Sequence, residues 1–312
     1  MAARRMPAWQ AGPLWVVLTS VGLAVAALPR SWEMALGAAL GRLALRVDRR
    51  RRRIAEENMR HCLPALSDAE RGALLRANFE HYGRLVLELA HIFCPVPGHW
   101  KRWTLRHSEI SGRENWEKAL ARGKGVLFYS AHVANWEIAS AVGGTRGFPS
   151  TIVTRRLTPD WLMDRVERSR LEVGIRAAYQ PRTMPTVLRG LKNGETMGFM
   201  IDQYISPPAG VKVPFFGVET DTLAVLGPLA HRTGCALLPL FLHRRDDGVV
   251  HLEVAPEMPP GDWMADPVES TKRMTAVAEA WIRKHPAQWL WGHRRFKNSV
   301  WPDGTPAYSG PR

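Results

Sequence analysis

One stretch puts a base, an acid and a helix start within a few residues: Ser130-Ala131-His132-Val133-Ala134-Asn135-Trp136-Glu137. A neutral imidazole can take a proton from a hydroxyl. A carboxylate on its other ring nitrogen fixes the tautomer and stabilises the imidazolium that forms. On one continuous helix the five-residue spacing would set His132 and Glu137 about 140° apart. They converge only if His132 precedes the helix and Glu137 sits in its first turn, which Asn135 as N-cap predicts. Such a helix start also offers N–H groups to a developing oxyanion. Spacing alone leaves a second reading open: a His-x4-Glu match is common by chance, and an ordinary loop histidine beside a favourable first-turn acid has the same form. No Ser or Cys stands in a Gly-x-Ser-x-Gly elbow, so a covalent enzyme intermediate is not indicated. No Gly-rich phosphate loop or His-Glu-x-x-His metal site is present, and His243 and His251 read as edge-strand residues.

The elements around this stretch alternate. Gly125 to Ser130 reads as a buried strand and Asn135 to Val142 as a helix ending at Gly143-Gly144. Thr151 to Thr154, Met197 to Ile201 and Leu237 to Leu242 are further apolar strands. Helices are expected over Pro159–Glu172, Thr186–Lys192, Leu223–Arg232 and Pro267–Lys284. Val249 to Val254 alternates in the manner of an edge strand after the Asp246-Asp247-Gly248 turn. Upstream, Ser67-Asp68-Ala69-Glu70 has the form of a capping box opening a helix to about Phe93, and Arg113 to Arg122 is a shorter helix. The pattern predicts an α/β fold with a mostly parallel central sheet flanked by helices. In such sheets ligands gather beyond the carboxyl ends of strands, where Ser130–Glu137 and Asp202-Gln203 lie.

The N-terminal part differs. Arg4 and Arg5 precede an apolar run from Leu14 to Leu28, which fits a signal peptide, a marginal membrane span or an interfacial helix. Met34 to Val47 is a second apolar stretch, and Asp48 leads into Arg49 to Arg53. Basic residues are densest after the first run, so a spanning helix would leave the body in the cytoplasm. Near an anionic surface each such charge contributes about 1 kcal/mol. The division expected is a membrane-associating hydrophobic helical arm (1–53), a main domain (54–298) and a loose tail (299–312).

The 312 residues carry 43 Lys and Arg against 29 Asp and Glu, a formal charge of +14. With 46% hydrophobic and 23% charged residues, a disordered or fibrous chain is excluded. Thirteen Trp against five Tyr suits a membrane–water interface. Nucleic acid is the competing explanation of the charge, but no motif for it is found. Cys62, Cys94 and Cys235 are scattered, without metal-ligand spacing or a disulfide framework.

Six motifs in order carry a resemblance. They are Glu57-Asn58-Met59-Arg60-His61-Cys62-Leu63-Pro64, the His132 block, Val153-Thr154-Arg155 with Arg168-Ser169-Arg170, Asp202-Gln203, Val213-Pro214-Phe215-Phe216-Gly217, and Gln288-Trp289-Leu290-Trp291-Gly292-His293-Arg294-Arg295-Phe296-Lys297. From about Ala55 to Lys297 the chain resembles the bacterial lipid A biosynthesis acyltransferases, the lauroyl and myristoyl transferases of the lysophospholipid/glycerolipid acyltransferase superfamily. It departs from them at Tyr204-Ile205-Ser206-Pro207-Pro208 and at Arg156, which bear on the acceptor and the acyl chain more than on the proton-transfer pair.

The resemblance implies transfer of a fatty acyl group from an acyl carrier protein thioester to a hydroxyl of a lipid A precursor, a phosphorylated glycolipid. His132 would be the general base and Glu137 its orienting partner. Arg168, Arg170 or, more weakly, Arg155 would meet the oxyanion or a phosphate, and Asp202 would position an Arg or the acceptor. His293, Arg294, Arg295 and Lys297 would hold headgroup phosphates or simply line the surface. No cofactor, metal or nucleic acid is implied. The location implied is the cytoplasmic face of the bacterial inner membrane. Two alternatives stay open: another glycolipid acceptor, such as a phosphatidylinositol mannoside, and a non-catalytic basic protein binding membrane or nucleic acid.

Overall fold

The computed structural model describes residues 8–181 and 183–309, so Arg4 and Arg5 lie outside the described residues. The helices are α1 (Ala8–Ala26), α2 (Arg30–Val47), α3 (Arg49–Cys62), α4 (Asp68–Ala90), α5 (His99–Arg106), α6 (Arg113–Leu120), α7 (Trp136–Thr145), α8 (Asp160–Glu172), α9 (Met184–Lys192), α10 (Leu226–Thr233) and α11 (Pro267–Lys284). The strands are β1 (Ser108–Ser111), β2 (Val126–Ser130), β3 (Ser150–Thr154), β4 (Ile175–Tyr179), β5 (Thr196–Met200), β6 (Gly210–Phe215), β7 (Val218–Leu223), β8 (Ala236–Arg244) and β9 (Val250–Val254).

Among the described residues one seven-stranded sheet has the order β1-β9-β8-β2-β5-β3-β4. All its pairings are parallel except β8 with β9. The expected α/β architecture with a mostly parallel, helix-flanked sheet is the one found. β2, buried at every position, is central because helices cover both faces, as parallel sheets require. Apolar cores lie on either side: Ile138 and Val142 of α7 pack on one face, and Leu229 and Met274 of α10 and α11 on the other.

β9 is not an edge. It lies between β8 and the four-residue β1, a strand too short and polar to announce itself in the sequence. α7 runs past Gly143-Gly144 to Thr145. These glycines pack rather than terminate: a Cβ on Gly144 would stand 1.8 Å from the Val173 carbonyl oxygen. Of the tail expected to be loose, the described part (299–309) is held, because Trp301 and Tyr308 are buried and the Tyr308 hydroxyl donates to Asn58 Oδ1 at 2.7 Å.

The Ser67–Glu70 capping box forms as expected: Ser67 N–H donates to Glu70 Oε2 at 2.7 Å and Glu70 N–H to Ser67 Oγ at 3.3 Å. The α4 helix that it opens ends near the loop between β2 and α7 and is crossed by α2 at close range. A Cβ on Gly83 of α4 would come within 2.0 Å of the Gly37 carbonyl oxygen of α2, so only glycine permits this approach. No helix among the described residues is long and apolar enough to cross a membrane.

Candidate active site

His132 and Asp202 meet because their strands are neighbours in register. β2 pairs with β5 so that Ser130 faces Met200, and each residue lies two positions beyond. The His132 Nδ1 is 2.8 Å from Asp202 Oδ1, and the His132 backbone N–H donates to Oδ2 at 2.9 Å. The indole N–H of Trp289 donates to the same Oδ2 at 2.8 Å. Asp202 is buried, which by itself would raise its pKa. The charge of His132 and the hydrogen bonds from His132 and Trp289 outweigh that and hold it at about 2. An ionised carboxylate only accepts, so Nδ1 carries the ring hydrogen and the lone pair lies on Nε2. Gln203 Nε2 stands 3.3 Å from that atom, and Trp136 meets the ring edge-on at 5.0 Å.

The expected bond from Glu137 to His132 is replaced by another. Arg170, in the last turn of α8, donates to Glu137 through Nη2 at 2.5 Å and Nε at 3.1 Å, a bidentate clasp that occupies both carboxylate oxygens. The helix start does put Glu137 in the first turn, with Asn135 capping Ile138 N–H at 3.2 Å. There the carboxylate meets α8, while the partner of Nδ1 comes from the turn just beyond β5. His132, Glu137, Arg170, Gln203 and Arg155 all line one cavity of about 320 Å³. The Arg170 side chain is buried, and its Nη1 has no hydrogen-bond partner.

The loop between β2 and α7 is gripped from α4. Asn135 Nδ2 donates to Glu88 Oε2 at 2.9 Å. His81 faces the Ala134 carbonyl oxygen at 3.4 Å. Arg244 of β8 ties the two together, contacting His81 Nδ1 at 2.7 Å and both oxygens of Glu88. Ala134 itself has φ of 52°, a left-handed conformation that costs a non-glycine residue energy and persists only where the surroundings enforce it. From the other side Ala134 N–H donates to the Gln288 carbonyl at 3.1 Å. The Trp289–His293 segment is held in turn by Asn78, which donates to the Trp289 carbonyl at 2.8 Å, and by Asn58, which donates to those of Trp291 and His293 at 2.7 and 3.0 Å.

The model of the bacterial lipid A biosynthesis acyltransferase family matches residues 4–298. The chain belongs to that family. It is 29% identical over 306 residues to the lipid A biosynthesis lauroyltransferase of Escherichia coli K12, covering 95% of this chain and 92% of that protein. The lipid A biosynthesis palmitoleoyltransferase of the same organism is 28% identical over 268 residues, covering 84% of each chain. A phosphatidylinositol mannoside acyltransferase of Mycobacterium tuberculosis H37Rv is 29% identical over 170 residues, 53% of each.

In this acyltransferase the arginines separate by environment. Arg155 is exposed at the cavity edge and donates to Gln180 Oε1 at 3.1 Å. Arg168 is exposed and donates to the Asp164 carbonyl at 3.2 Å; it is not among the cavity residues, since two residues along α8 turn it away from Arg170. Asp202 holds His132 rather than an arginine. Arg295 is fully buried: it donates to the Asp221 carbonyl at 2.9 Å and to Thr222 Oγ1, and it lies over Phe215, so it braces the β6–β7 hairpin. Arg294 lies over the Tyr308 ring at 4.9 Å and Lys297 over Tyr204 at 5.4 Å. Trp289 and Gln203 are site residues whose roles sequence reasoning missed, although both stand in the motifs quoted above.

Proposed function

We propose that this acyltransferase moves a fatty acyl chain from an acyl carrier protein thioester to a hydroxyl of a phosphorylated lipid A precursor. The observation that carries the mechanism is the Asp202–His132 pair, which leaves a basic Nε2 at a cavity with a polar mouth and apolar depth. Nε2 takes the hydroxyl proton as the oxygen attacks the thioester carbonyl and the C–O bond forms. Arg170, which lines the same cavity as His132, is assigned to the oxyanion, and Glu137 orients its guanidinium. Collapse breaks the C–S bond, and His132 returns the proton to the departing thiolate. No acyl-enzyme forms. The positive charge of the chain suits both an acidic carrier protein and a phosphorylated acceptor.

The test is to incubate the purified protein with acyl carrier protein thioesters and a panel of lipid acceptors, and to identify products by mass spectrometry. A new acyl ester on the lipid A precursor, lost in His132→Ala, is expected. Transfer that survived His132→Ala would sink the mechanism. Product formed only on a mannosylated phosphatidylinositol would favour the second reading, which the mycobacterial relative supports.

We assign the work to the cytoplasmic face of the inner membrane, with residues 1–53 as a docking arm, 54–298 as the catalytic domain and 299–312 as a tail. On α2, Trp32, Leu36, Leu40, Leu43 and Val47 are exposed at helical spacing, and Val16 and Val17 of α1 are exposed as well. So large an apolar face calls for a partner. Arg49 to Arg53 are exposed at the end of that face. The protein is expected to float with vesicles containing phosphatidylglycerol at least tenfold better than with pure phosphatidylcholine, at about 1 kcal/mol per engaged arginine. Leu36→Asp with Leu43→Asp should abolish flotation. Equal binding of that variant would remove the stripe from the interface.

A further inference from the structure

The cavity beside His132 has a defined bottom. It lies between α7 and the sheet, and its walls change character with depth. At the carboxyl ends of the strands it is polar: His132, Glu137, Arg170 and Gln203. One layer down, Phe128, Gly198 and Ile152 stand side by side in register across β2, β5 and β3. One layer further is Thr196, four residues and roughly 13 Å below Met200. There the Trp116 indole N–H donates to Thr196 Oγ1 at 2.9 Å.

Trp116 plugs the slot at that depth. Its ring stacks on Phe148 at 4.5 Å and meets Phe128 edge-on at 4.7 Å. On the α7 side, a Cβ added to Gly143 would come within 2.8 Å of the ring, so helix backbone and indole are in direct contact. Buried and held by these contacts on the sides away from the cavity, the ring cannot swing aside for a longer occupant without breaking a hydrogen bond and two aromatic contacts. Gly198 is the opposite case. A Cβ there would meet only Ile152 Cγ2, at an ordinary 3.6 Å, so glycine leaves the middle of the slot open.

We propose that Trp116 is the floor of the acyl-chain slot and sets the longest fatty chain this enzyme accepts, and that Gly198 keeps the slot open above it. This rests on the acyl-transfer reading above. An apolar slot gains from each methylene that it buries until the chain meets the floor, after which a further methylene costs about tenfold or more in specificity.

The test uses wild type, Trp116→Ala and Gly198→Val with a donor series from decanoyl to palmitoyl. Binding of the S-acyl-pantetheine thioesters is measured by calorimetry, which needs no turnover, and transfer from the corresponding acyl carrier protein thioesters is measured as kcat/KM. Trp116→Ala is expected to move the length limit up by at least two carbons, with a tenfold or greater gain for the longest donors. Gly198→Val is expected to move it down by a similar step. If Trp116→Ala does not fold, Gly198→Val decides alone, because its Cβ has room. An unchanged length limit in folded Gly198→Val overturns the proposal, as does one in folded Trp116→Ala. If the binding limit moves but no acceptor is acylated, the slot stands and the transfer reading falls.

Discussion

Exchanging Asp202 for asparagine is expected to lower kcat by about a thousandfold or more while leaving KM and the circular dichroism spectrum close to wild type. The reason is a count of donors. Oδ2 accepts two N–H groups, from the His132 backbone and the Trp289 indole, and only the amide oxygen of an asparagine can take that place. Its NH2 group then faces His132 Nδ1, where a ring N–H now donates. To accept from the amide, Nδ1 must give up its hydrogen to Nε2, and the base loses the lone pair that faces the substrate. Stability changes in a defined direction as well. The Asp202 carboxyl is held at about 2 against an ordinary 3.8, so its contribution is complete above pH 4 or so and is lost as pH falls through 2. The asparagine variant lacks that acid-dependent loss. Steady-state kinetics with acid titration of the fold checks both. A variant within tenfold of wild-type kcat would assign the orientation of His132 to another group.

The same residue shows where sequence reading stops. The β2–loop–α7 stretch was legible because each step has a local cause: five consecutive buried strand residues, an Asn cap and an acid in the first turn. Which carboxylate reaches Nδ1 is not local. His132 and Asp202 are 70 residues apart, and they meet only because β5, not β3, lies beside β2. Glu137 has the spacing of a partner, but it is claimed by Arg170 from a helix whose approach no periodicity reveals. The motif Pro214-Phe215-Phe216-Gly217 hid a structural element for another reason. It is the turn of the β6–β7 hairpin, with φ of 53° at Phe216 and 76° at Gly217. Such turns usually advertise themselves with Asn or Asp before Gly. Here Phe216 is held by its N–H donating to Glu279 Oε2 at 2.6 Å and by stacking on Trp289 at 5.7 Å, so tertiary contacts replace the usual turn chemistry.

The largest effect on stability is expected at a residue without any place in the chemistry. Glu88 is fully buried on α4 and takes Arg244, Arg30 and Asn135 on its two oxygens. Burial would raise its pKa, but Arg244 and Arg30 outweigh that and hold it at about 2. Glu88→Ala leaves the Arg244 guanidinium buried beside a neutral His81 and should cost about 3–5 kcal/mol in urea unfolding. That loss by itself would say only that a buried charge lost its partner. Replacing both, Glu88→Met with Arg244→Met, removes the charge of Arg244 while Arg30 keeps Glu33 at 2.8 Å, and an apolar pair of similar volume restores most of the stability. It does not restore the anchors of the loop. Asn135 loses its acceptor, and His81, freed from Arg244, no longer has its ring fixed toward the Ala134 carbonyl. With the strained Ala134 released, His132 can drift by up to about 1 Å, and a displacement of that size costs about a hundredfold in rate. The double variant is therefore expected to be stable and slow. Near-wild-type kcat in a double variant of restored stability would show that β2 and Asp202 alone fix the base, and that Glu88 serves only the packing of α4.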